Sequence, residues 1–193
     1  MNFLGKEVAY KWFTKEVRDD IITWQLENGR TLDDTVKAYC DIEKYGKAIL
    51  ESDLFAKGFE QSHHKVTTVG GHTLHVVFTA LEAAYERQKR EESVNIEYVV
   101  QACLLHDLGI IGRYEKYANN LICCFRHPVD SGKIINDLFP GTANEVTNAV
   151  ERHMFPATII PPTSVTGLIL IKADKSASLK ETSILRRKEV VLA

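Results

Sequence analysis

Apolar residues Tyr10, Phe13, Val17, Ile21 and Trp24 recur at spacings of three and four, the period that gathers side chains on one face of an α-helix. Asn28-Gly29 ends that run, since glycine readily takes the left-handed conformation that closes a helix. Thr31 with Asp34 three residues on is a capping signal, and Leu32, Val36, Tyr39, Cys40 and Leu50 carry a second helix toward Gly58. Residues 1–57 therefore read as a helical pair packed on the rest of the chain. After the polar loop QSHHKVTTVGG, helices are predicted from about Gly71 to Glu92 and from Asn95 to about Asp107, the second broken by Gly109 and Gly112. Pro128 pre-sets a helical φ and so puts His127 at a helix start, with that helix ending near Pro140. Two more helices are predicted, from about Ala143 to His153 and from about Ser164 to Leu179, separated by a loop marked by Pro156, Pro161 and Pro162. No period-two alternation runs longer than a few residues and no internal repeat is present. The fold class is all-α, with a main domain over 58–182 and a C-terminal helix or tail over 183–193.

Composition narrows the function classes. The chain has 193 residues, with 24 Lys+Arg against 26 Asp+Glu and a formal net charge of −2. That balance argues against a nucleic-acid polymer or an anionic membrane as partner, because either rewards a marked basic excess. The longest purely apolar run, Leu168 to Ile171, is far too short to span a bilayer. Cys40, Cys103, Cys123 and Cys124 form no C-x-x-C pair, which suits small core residues in a reducing compartment. A cytoplasmic protein is expected.

The chemistry lies where polar residues interrupt apolar stripes. His72 shares a stripe with Val69, Val76, Ala80 and Ala83; His106 and Asp107 share one with Ile96, Val99, Val100 and Cys103; His153 follows Val146, Ala149 and Val150; and Asp174 falls among Gly167, Leu170, Ile171 and Ala177. A buried ionised carboxylate without compensation costs several kcal/mol. One buried histidine is ordinarily a hydrogen-bonded core residue, and Asp174 could pair with Lys172 or Lys175. Four helices that each offer a His or Asp from the apolar side, with His127 as a further donor, point instead to one shared divalent cation site. By the same periodicity His75 aligns with Glu82, Glu86 and Lys89 and reads as a surface residue. His63 and His64 fall in the polar loop and read as solvent-facing or as lying at the mouth of the site; His64 is kept among the candidate substrate contacts.

The order His72, LLHDLG with His106 and Asp107, FRHP with His127, ERHMFP with His153 and KADK with Asp174 resembles the HD superfamily of metal-dependent phosphohydrolases. The two intervening histidines make it similar to the subgroup with binuclear sites, and the likeness covers about residues 58 to 182. The resemblance implies that His72, His106, Asp107 and Asp174 hold one ion, while Asp107 bridges to a second held by His127 and His153. It further implies two divalent transition-metal ions, iron or manganese first, with zinc, nickel, cobalt or magnesium as alternatives. The chain departs from the common HD-x-G-K form in carrying Ile110 at the lysine position.

The expected activity is hydrolysis of a phosphoester or phosphoanhydride in a small phosphorylated substrate, a nucleotide being one candidate. Such an enzyme needs positive charge near the transferring phosphoryl group, and Arg113, Lys116, Arg126, Arg152 and Lys175 are the nearby cations. Lys175 is the first choice as a catalytic residue beside Asp107, because it follows a ligand within an otherwise apolar helix. Three other readings stay open: a di-iron oxygenase of the same superfamily, a module stapled by metal that binds a partner, and a mononuclear nucleotidase needing only His72, His106, Asp107 and Asp174. Whether Trp12, Phe13 and Trp24 cover this domain or a second subunit of a homo-oligomer is also open.

Overall fold

The computed structural model describes residues 2–63 and 65–191. Helix α1 (Lys15–Glu27) begins at Thr14, whose side chain accepts from the Val17 amide, and stops at Asn28-Gly29, where Gly29 takes φ +73°. It starts five residues after Tyr10, where the apolar spacing begins: Tyr10, Trp12 and Phe13 lie in the preceding segment, which follows a short hairpin of β1 (Asn2–Phe3) and β2 (Lys6–Glu7). A capping box of Thr31 and Asp34 opens α2 (Leu32–Leu50). Ser52 caps a separate short helix, α3 (Asp53–Lys57), so the predicted second helix is two.

A second hairpin, β3 (Ser62–His63) with β4 (Thr67–Thr68), delivers the chain to α4 (Val69–Lys89). Every residue from Val69 to Phe78 is buried, as expected of a helix covered on all sides: α4 packs against α1, α2, α5 (Ile96–Leu105) and α9 (Val165–Val191). Between α5 and α9 run a 3-10 turn at Leu108–Ile110, α6 (Arg113–Lys116), α7 (Asn120–Leu138) and α8 (Asn144–Glu151). Helix α9 extends well past Leu179. His127 lies inside α7 and not at its start, because Asn119 caps the helix eight residues earlier and Pro128 is accommodated within it.

The N-terminal aromatics are buried in this chain's own core. Trp12 donates its indole N–H to the Leu50 carbonyl at 2.8 Å and stacks on Phe59, while Phe3, Phe13 and Tyr39 pack edge to face around them. Trp24 stacks on the imidazole of His75, with ring centroids 3.9 Å apart. His75 is therefore a buried residue, only 4% exposed, because α1 and α9 cover the side of α4 that its charged C-terminal half leaves to solvent. Among the described residues no helix is long and apolar enough to cross a membrane.

Candidate metal centre

The turn after α5 sets the site. Gly109 packs so tightly against α7 that a Cβ there would collide with the His127 carbonyl and lie 2.8 Å from the Ser131 amide. Its own amide donates to Ser131 Oγ at 2.8 Å, and that hydroxyl donates to the His106 carbonyl at 2.7 Å. Gln61, beside the second hairpin, holds the same turn from the other side through Ile110 O and the Gly112 amide. His106 and Asp107 are thus fixed at the junction of α5, α7 and the hairpin, and each is at most 3% exposed.

Three imidazoles share one orientation. Nδ1 of His106, His127 and His153 donates to the carbonyls of Cys103, Cys123 and Val150, at 2.7, 2.8 and 2.6 Å. A carbonyl can only accept, so each Nδ1 bears a proton and Nε2 is the nitrogen that faces inward. His106 Nε2 is buried and makes no hydrogen bond among the described residues. The Nε2 atoms of His127 and His153 stand 3.0 Å apart, a spacing satisfied by one proton on His127 donated to His153 or by a metal cation that both nitrogens face. His72 is held differently: its Nδ1 meets Glu181 Oε2 at 3.0 Å and its Nε2 meets Asp174 Oδ1 at 3.1 Å.

Asp107 faces both sets. Its Oδ2 lies 3.4 Å from His106 Nε2 and 3.9 Å from His72 Nε2, while its Oδ1 lies 3.3 Å from His127 Nε2 and 3.7 Å from His153 Nε2. Burial alone would raise its carboxyl pKa, yet the imidazoles of His106 and His127 hold it well below the usual range. Burial and the neighbouring imidazoles push His153 down to about 4. For His127 burial acts downward too, but Asp107 and the Cys123 carbonyl outweigh it and lift the ring to about 10. Buried acceptors collected with so few matching donors are the environment a divalent cation satisfies. Three groups could hold one: His63, His72 and Asp107; His72, His106 and Asp174; and Asp107, His127 and His153, each with ligand atoms within 4.8 Å of one another.

A cavity of about 600 Å³ opens onto these groups, and Arg113 and Lys175 line it. Lys175 Nζ donates to the Phe155 carbonyl at 2.7 Å. Of the other cations singled out in the sequence, Lys116 is turned to the Ile111 carbonyl and Arg152 to the Pro161 carbonyl, and Arg126 is exposed on α7. These three are not among the cavity-lining residues. His64 lies outside the described residues. His63, read in the sequence as loop, is 4% exposed, and its ring centroid is 4.4 Å from that of His72.

Two further groups were not foreseen. Glu181, 1% exposed, accepts from the Nδ1 atoms of both His72 and His75, the latter at 2.7 Å; the other nitrogen of His75 reaches Asp20 Oδ2 on α1 at 2.9 Å. The available signal was spacing, since Glu181 follows Asp174 by seven residues and so shares its side of α9. Ser131 carried no signal in a helix of mixed polarity.

A family model for the HD domain matches residues 69–187, a span that contains His72, His106, Asp107, His127, His153, Asp174 and Glu181 and leaves His63 outside. No curated protein and no solved structure matches the chain. The match covers more than half of the sequence and contains the clustered histidines and aspartates, so the chain belongs to the HD-domain family, a superfamily of metal-dependent hydrolases.

Proposed function

We propose that this protein is a metal-dependent phosphohydrolase that cleaves a phosphoester or phosphoanhydride of a small substrate with water. The observation that carries the reading is the two-sidedness of Asp107, one oxygen toward His72 and His106, the other toward His127 and His153. On this reading His72, His106, Asp107 and Asp174 hold one ion, and Asp107, His127 and His153 hold a second, with iron or manganese favoured by the oxygen and imidazole donors and by the family. Divalent ions so held lower the pKa of a coordinated water and polarise phosphoryl oxygens. The protein's own part is orientation and charge. Carbonyl partners fix the tautomers of His106, His127 and His153, Glu181 fixes His72, and the cations of Arg113 and Lys175 face the cavity where phosphoryl charge develops.

The test begins with elemental analysis of protein purified at low oxygen without added metal or chelator. The expected result is about two transition-metal ions per chain together with metal-dependent release of p-nitrophenol from mono- or bis-p-nitrophenyl phosphate. One ion or fewer overturns the two-ion assignment. Consumption of O₂ by the reduced protein without phosphate-ester cleavage assigns the oxygenase chemistry instead.

A further inference from the structure

The phosphohydrolase reading leaves the body of the substrate unassigned, and the cavity walls bear on it. Its volume of about 600 Å³ lies within the range of small-molecule sites. Away from the metal-facing residues the walls are mostly apolar, with Ile110, Cys123, Met154, Pro156, Ala157 and Leu179, while Asn120 and Ser178 add neutral polar groups. Ile110 and Cys123 are buried and line the same cavity as Asp107 and His127.

A nucleotide asks for other partners. Bases are held by stacking on aromatic rings or guanidinium planes and by hydrogen bonds along their edges. Among the described lining residues there is no Phe, Tyr or Trp, and Asn120 is the single amide. The guanidinium of Arg113 already lies over the Tyr114 ring, 4.7 Å from its centroid, and donates to the Tyr114 hydroxyl. A polyphosphate tail, similarly, is gripped by several cations, whereas the described lining offers Arg113 and Lys175 alone. These features suit a single phosphoryl head.

Apolar side chains at the cavity edge, and next to its lining in the chain, are also exposed. Leu179, at the cavity edge, is 73% exposed; Ile159 and Ile160, two and three residues beyond Ala157, are 91% and 57% exposed; and Leu121, next to Asn120, is 66% exposed. Exposed apolar surface at a cavity edge, as at Leu179, suits the binding of apolar matter. We infer, on the phosphohydrolase reading, that the substrate is a phosphate ester of an aliphatic chain, its single head at Asp107 and its chain running along Ile110, Met154 and Leu179 to the surface.

Isothermal titration of the full-length, manganese-loaded protein with n-alkylphosphonates of one to eight carbons, and with AMP, tests this. Affinity should tighten about fourfold for each added methylene until the cavity is filled, and hexylphosphonate should bind more tightly than AMP. Leu179→Glu, at an exposed position that folding tolerates, and Met154→Glu should each flatten the dependence on chain length. Methylphosphonate binding with no gain on lengthening, or AMP as the tightest ligand, would overturn the aliphatic assignment while leaving the phosphohydrolase reading intact. A flat dependence in a protein that dimerises with rising concentration would assign the apolar rim to a second copy of the chain, and overturns the inference likewise. Failure of every phosphonate, methylphosphonate included, would overturn the phosphohydrolase reading and this inference with it.

Discussion

His127 and His153 bring their Nε2 atoms to 3.0 Å although each ring has committed its Nδ1 proton to a backbone carbonyl. Asp107 and the Cys123 carbonyl lift His127 to about 10 against the effect of burial, while burial and the charge of His127 and His106 depress His153 to about 4. A divalent cation that both nitrogens face satisfies the same spacing. Adding Mn²⁺ or Fe²⁺ at about a hundred times its dissociation constant should stabilise the fold by about 2.7 kcal/mol, raising Tm by about 5–10 °C. Scanning fluorimetry with and without chelator, followed by add-back, reads this directly; an unchanged Tm contradicts a metal centre.

Asp107→Ala should abolish metal binding and hydrolysis together, because one carboxylate faces both pairs of imidazoles. A variant that retained two ions and activity would refute the bridging role. Elemental analysis and turnover, measured on the same preparation, decide it.

Glu181 orients His72 from behind. Supporting carboxylates of this kind typically contribute 10- to 100-fold to metal affinity, so Glu181→Ala should weaken metal binding by about that factor. It also leaves the buried Nδ1 atoms of His72 and His75 without their shared acceptor, so Tm should fall as well. Competition against a chromogenic chelator measures the affinity.

His75 sets a pH dependence of stability. Burial lowers its pKa, but the hydrogen bonds to Asp20 and Glu181 outweigh burial and raise it above 6.5. A raised folded-state pKa gives stability that is fully present below the unfolded value and lost as pH rises through the folded one. The Tm gap between wild type and His75→Gln should therefore be larger at pH 6 than at pH 9. A gap that widened toward alkaline pH would contradict the charged pairing.

Lys175→Ala should lower kcat by about 10²-fold with metal content unchanged, since its ammonium lines the cavity and bonds the Phe155 carbonyl rather than a candidate ligand. Loss of metal in the variant would place Lys175 in the structural support of the site instead.

Much of this architecture was legible in the chain. Apolar periodicity locates the long helices, and the His and Asp residues that interrupt it, His72, His106, Asp107, His153 and Asp174, all gather in one cluster around Asp107. What stayed hidden depended on tertiary cover. His75 follows the polar stripe of α4, and only the approach of Trp24 and Glu181 buries it. His63 looked like loop because hairpin pairing in a segment of Thr, Lys and Gly leaves no hydrophobic trace, and its position follows from Gln61 gripping the turn after Asp107. Pro128 misplaced the start of α7, since the preference of proline for a first helical turn says nothing of a helix already capped at Asn119.

One consequence follows from the way α9 grips His72 at both ring nitrogens. Asp174 and Glu181 are seven residues apart, about 10 Å along the helix axis, and the imidazole is pinned between them. Sliding α9 along α4 by a single residue, about 1.5 Å, would draw one carboxylate off the ring and crowd the other against it. The histidine thus serves as a locating pin that sets the register of the two longest helices. Because the Glu181 contact on Nδ1 is made of protein groups alone and leaves Nε2 to a metal, the alignment of the bundle is inherited from the polypeptide, and the seat a metal ion would take is already cut to position.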